Sequence, residues 1–143
     1  MATDGSKESA PAVRTAVELV NGTGSELHVV HTISTAPKPP YPHYWQIQQS
    51  NTLRDRKSLA ALALLEETIR QVGELGGIVV GSHYREGKPE EEIDRLAEEL
   101  EVGLIVAGGR EVGRFGAKSD PSFSEGVYRR ATCAELVVRG PKV

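Results

Sequence analysis

Apolar residues fall into two alternating rhythms along this chain. Ala10, Val13, Ala16, Val17 and Val20 recur at intervals of three and four, which predicts an amphipathic helix ending at Asn21 and Gly22. Glu26 to Ile33 is a short run with a β-branched, largely apolar centre and reads as a strand. Leu59, Leu62, Leu65, Ile69 and Val72 sustain a long helix from about Asn51 to Val72, and Gly73, Gly76 and Gly77 end it. Ile78 to Tyr84 is the next strand. Ile93, Leu96, Ala97 and Leu100 mark the buried face of a helix entered at Pro89, and residues 103 to 108 form another apolar strand. Strands alternating with helices in this way predict an α/β fold, a parallel sheet with helices on both faces.

Ser34 to Ser50 breaks the rhythm. Pro37, Pro39, Pro40 and Pro42 exclude a regular helix at its start, and Tyr41, Tyr44 and Trp45 gather there. Two roles stay open for it: a lid or partner-docking loop above the strand ends, or a surface insertion pinned by Trp45 against the sheet.

At 143 residues and 38% hydrophobic content the chain holds one domain, residues 1–143. A net charge of -3 and the lack of a basic stripe with interleaved aromatics argue against nucleic acid as a partner. One cysteine, Cys133, makes no internal disulfide and reads as a small buried residue before a strand. No window approaches 18 apolar residues, and the first residues lack the basic and apolar regions of a signal peptide. No membrane contact and a soluble, cytoplasmic protein are therefore expected.

A ligand is expected where the strand Leu104 to Ala107 runs into Gly108 and Gly109, because glycines at the carboxyl end of a parallel strand let the backbone approach a phosphate. The alternative is that these glycines only turn the chain out of the strand. The segment from Gly108 to Ser122 resembles the loop of the universal stress protein family, Gly-x-x-Gly, nine residues, then Gly followed by Ser or Thr. Gly108 matches the first glycine and Ser122 the hydroxyl residue, whereas Glu111 and Pro121 stand at the second and third glycines. Ser124 to Val127 and Ala131 to Arg139 resemble the family's last helix and strand, and Gly87, Pro89 and Ile93 its entry to an earlier helix.

The resemblance covers nearly the whole chain. It implies a flavodoxin-like (Rossmann-like) open sheet of five parallel strands in the order 3-2-1-4-5, with Met1 to Ser6 as the end of a truncated first strand and its turn. It makes Ser6 the cap of the first helix, whereas the position of Pro11 favours Ser9. It places ribose contacts at Asp4 and Gly108, a base contact at Thr32, and further contacts at Ala107, Ser122 and Phe123. Pro121 has no N–H to offer a phosphate, and Glu111 adds a negative charge near others. Two lost charge-assisted bonds weaken binding by about two powers of ten. Arg110, with Arg114 and Lys118, either restores part of the attraction or is solubilising surface.

Two functions of different class follow. One is a non-catalytic stress-response domain that binds ATP weakly or not at all and acts as a homodimer through its last strand, Glu135 to Arg139. The other is an ATP- or AMP-binding switch that tolerates the altered loop, with slow hydrolysis. No Gly-x-Ser-x-Gly elbow, Walker lysine or metal-spaced His and Cys set occurs, which argues against an enzyme. His31 reads as a packed strand residue or, alternatively, a ligand. The acidic run Glu90 to Glu92 dresses a helix start and is not read as a catalytic carboxylate pair.

Overall fold

The computed structural model describes residues 1–3, 9–33, 44–109 and 132–139, with backbone alone for 44–54 and Gly109. Ser9 stands at the N-cap of α1 (Ala10–Thr23) and Pro11 falls in the first turn, where a missing N–H removes no helical bond. Ser6 lies outside the described residues. The helix buries Ala12, Val13, Ala16 and Val17 and runs past Asn21 and Gly22. Its stop is Gly24, at φ 72, whose N–H reaches the Val20 carbonyl at 2.8 Å. An L side chain is strained in this left-handed conformation. Gly24→Ala is therefore expected to cost about 1 kcal/mol, seen as a lower denaturation midpoint at unchanged slope.

β1 (Leu27–Ile33) leads to α2 (Tyr44–Glu74), which starts seven residues before the expected Asn51. The reason is steric: all four prolines of the 34–50 segment precede Tyr44, so no ring obstructs the helical ladder from there on. The second half of that segment is thus helix, while the proline-rich part and the proposed pinning by the Trp45 side chain lie outside what is described. The buried face of α2 carries Ala61, Leu65, Thr68 and Val72, whereas Leu59 is 68% exposed and Leu62 47%.

β2 (Val79–Glu86) begins later and ends later than the expected Ile78 to Tyr84. Ile78 is outside the strand and exposed, and Arg85 and Glu86 continue the pairing with β1. α3 (Pro89–Glu99) opens on its proline with Glu90, Glu91 and Glu92 in the first turn, complementing the positive end of the helix dipole. β3 (Leu104–Gly109) and β4 (Ala134–Arg139) follow.

All observed pairings are parallel: β1 with β2, and β3 with β4. Between the two pairs lies Met1 to Thr3. Ala2 bridges in parallel to both Val30 and Ala107, its N–H bonded to the Val106 carbonyl at 2.8 Å, while Val30 N–H bonds Met1 at 3.0 Å. Met1 to Thr3 is therefore a short stub hydrogen-bonded on both sides. Helices cover both faces. Val13, Val17, Leu65 and Val72 pack with Val29 and Val106 on one side. Ile93 and Leu96 pack with Ala2, Val30 and Ile105 on the other.

Candidate functional site

Parallel strands bring their carboxyl ends to one edge, and the pairings here define that edge around Thr3, Thr32 and Gly108. Ala2 is in register with Val30 and Ala107, so Thr3, Thr32 and Gly108 all lie just beyond the bridged positions. Ala107 is completely buried, and its small side chain accommodates the stub bridged to it. Thr32 is half-buried and pairs with Arg85; Gly108 pairs with Val138. Three of the expected site residues, Thr32, Ala107 and Gly108, thus meet at one end of the sheet. Asp4, Arg110, Ser122 and Phe123, like Glu111 and Pro121, lie outside the described residues.

His31 holds this edge in shape. It is buried, and its Nδ1 donates to the Thr3 carbonyl at 2.8 Å, fixing the tautomer and tying β1 to the last residue of the stub. That is the packed role of the two open for it. A buried carbonyl left without a donor would cost about 1 to 3 kcal/mol.

The end of β2 contributes groups that sequence reasoning missed. Tyr84 sets its hydroxyl 3.0 Å from Ser58 of α2 and donates to Glu86 at 2.9 Å. Arg85, beside Thr32 in register, reaches Glu99 of α3 at 2.5 Å. Gly87 closes the strand end through its N–H on the Ile33 carbonyl at 2.9 Å. The missed signal was the alternation itself: Tyr84 and Glu86 fall on one face and Arg85 on the other, which carries the strand two residues past Tyr84.

Among the described residues no three His, Cys, Asp or Glu side chains are grouped to hold a metal ion. Cys133 is half-buried against the Ile93 and Leu96 cluster, and burial pushes its thiol pKa up, away from nucleophilic thiolate. No described helix is long and apolar enough to cross a membrane.

Comparison with known proteins shows the family and the fold. The model of the universal stress protein family matches residues 1–139. The chain is 29% identical over 143 residues to a universal stress protein of Bacillus subtilis, covering 97% of this chain and 96% of the relative. It is 27% identical over 142 residues to one of Methanocaldococcus jannaschii, covering 98% and 80%. Its fold is similar to that of UspA from Lactobacillus plantarum, with a TM-score of 0.78 at 18% identity over 96% of this chain and 94% of the other. Two further structures share the fold. One is a universal stress protein in complex with cAMP, with a TM-score of 0.68 at 22% identity over 97% and 94% of the two chains. The other is from Archaeoglobus fulgidus in complex with dAMP, with a TM-score of 0.64 at 18% identity over 96% and 94%.

Proposed function

Because the chain belongs to the universal stress protein family, we propose that it is a single-domain, non-catalytic stress-response protein of the cytoplasm with a weakened grip on ATP. The observation that carries this reading is the stub. Met1 to Thr3 is bonded on both sides, which sets Thr32 of β1 and Ala107 and Gly108 of β3 on either side of it at one edge of the sheet, where this reading puts the nucleotide. The full sheet would then be five-stranded in the order 3-2-1-4-5, with the stub as its central strand. Asp4, Arg110, Ser122 and Phe123 complete the nucleotide site in this reading. Glu111 and Pro121 supply the weakness, by charge and by a missing N–H.

β4 would join two copies. It pairs with β3 on one side, and Leu136 is 37% exposed, an apolar position on a strand suited to pairing with itself. Light scattering at micromolar concentration should return twice the chain mass, and a monomer would reject this part of the reading.

A second reading, an ATP- or AMP-binding switch with slow hydrolysis, is favoured by the cAMP and dAMP found with two proteins of the same fold. Calorimetric titration of ATP separates the two. Weak binding, with a Kd near millimolar, supports the first. Stoichiometric nucleotide released from the freshly purified protein supports the second and overturns the first.

A further inference from the structure

On the face of the sheet covered by α3, two imidazoles meet across β1 and β2. His28 Nδ1 lies 3.1 Å from His83 Nε2. The ring centres are 5.4 Å apart. That exceeds the nitrogen separation by about two ring radii, so the two nitrogens point at each other along the line of centres. Such a contact is an N–H···N hydrogen bond: one ring supplies the hydrogen and the other its lone pair.

The backbone is built around this pair. Pairing slips between Leu27 and His28, so that Leu27 faces Val79 but His28 faces Gly81, and Val80 is the extra residue of a bulge. Position 81 is bare: a Cβ there would stand 2.6 Å from His28 Nδ1 and 3.0 Å from His83 Nε2, so the rings would have to shift to admit one. The bulge and the bare Gly81 together let two rings fit where one side chain would otherwise stand.

We propose that His28 and His83 form a proton-sharing latch between β1 and β2, which holds at most one proton and is forced open by a second. With both rings protonated, two N–H groups would face each other and no lone pair would remain to bridge them. The surroundings resist charge on both rings at once. Glu26, before β1, lies 3.7 Å from His28 Nε2 and offers a counter-charge for one imidazolium. On β2, Arg85 adds positive charge near His83, partly offset by its partner Glu99 on α3. The Met1 amino group, bonded to the His28 carbonyl at 2.6 Å, has its pKa brought by burial down to about 6. Burial first, then His28 and Arg85, lower the pKa of His83 from its ordinary value of 6.5. The other flank is a cavity of about 40 Å³ walled by Ile93, Leu96, Ala97 and Leu100, which has no carboxylate to receive a displaced cation.

The sign follows from linkage. The unfolded chain takes up the His83 proton at a higher pH than the folded one. The latch is therefore fully stabilising above the unfolded value of 6.5, and its contribution is lost as pH falls from there through the lowered folded value. Below that window the rings part, and β2 is held to β1 by main-chain bonds alone at this position.

The test uses imidazole nitrogen NMR and thermal unfolding of the full chain from pH 8 to 5. The wild type should show His83 titrating below a free imidazole, with a shared N–H signal to His28 that vanishes as the second proton binds. His28→Gln should return the His83 midpoint toward its ordinary value. His83→Gln, which keeps a neutral hydrogen bond to His28, should lose less melting temperature between pH 7 and 5 than the wild type. Parallel pH profiles for wild type and His83→Gln would overturn the latch. So would a His83 midpoint unchanged by His28→Gln, or stoichiometric Zn²⁺ binding at pH 7.5 that either variant abolishes, which would make the pair a metal site. The wild-type titration decides the matter even where a variant fails to fold.

Discussion

Leu65→Ala should destabilise the protein by about 3 kcal/mol and Leu59→Ala by less than about 0.5 kcal/mol, although both leucines sit on α2 six residues apart. Leu65 is 5% exposed and packs with Val13, Val29 and Val72, so its truncation removes apolar contacts and leaves a cavity between helix and sheet. Leu59 is 68% exposed, and shortening it removes little from the core. For a domain of this size the first change corresponds to a fall in melting temperature of about 6 to 12 °C. Calorimetry of the two variants beside the wild type checks it. Comparable losses at the two positions would mean that α2 is rotated from the orientation described, or that Leu59 is covered by another part of the protein.

The same helix shows how far apolar spacing reaches. Leu59, Leu62, Leu65, Ile69 and Val72 announce a helix correctly, but three of the five lie on its exposed side. The buried stripe is Ala61, Leu65, Thr68 and Val72, and two of its members are a small residue and a hydroxyl. Thr68 is accommodated because its hydroxyl donates to the Leu64 carbonyl at 2.8 Å, so burial leaves no orphan donor. Periodicity weighs side chains by hydrophobicity, whereas packing selects them by fit against Val29 and Val13. That is why the element was legible and its facing side was not. α1 and α3 were read more accurately, since each carries a single apolar stripe with little competition on the far side.

For the candidate site, Thr32, Ala107 and Gly108 were named through the resemblance to the universal stress protein family, and what the parallel register adds is that they lie at one edge of the sheet. The His31 bond to Thr3 and the meeting of His28 with His83 depend on which strand lies beside which, and on a one-residue bulge. Nothing local to either histidine carries that information. The end of β2 was placed two residues short for a related reason: β1 supplies the partners, and Glu99 the counter-charge, that keep Arg85 and Glu86 in the sheet.

Restoring the loop is the most demanding test of the proposed function. Replacing Glu111 and Pro121 together by glycine should tighten ATP binding about 100-fold. The change removes one like charge and returns one main-chain donor, each worth about 1.5 to 3 kcal/mol when it meets a charged phosphate. The single Pro121→Gly change should give about a tenth of that gain in affinity if the two act independently. AMP supplies the internal control. It has one phosphate where ATP has three, so a gain arising at the outer phosphates should be much smaller for AMP than for ATP. Titration calorimetry at fixed Mg²⁺ and salt measures the wild type and both variants with each nucleotide. Equal gains for the two nucleotides would move the effect to the ribose side of the site, near Thr32 and Gly108. An unchanged ATP affinity in the double variant would show that neither residue weakens the grip, and the reading of this chain as a stress protein with a loosened hold on ATP would fall with it.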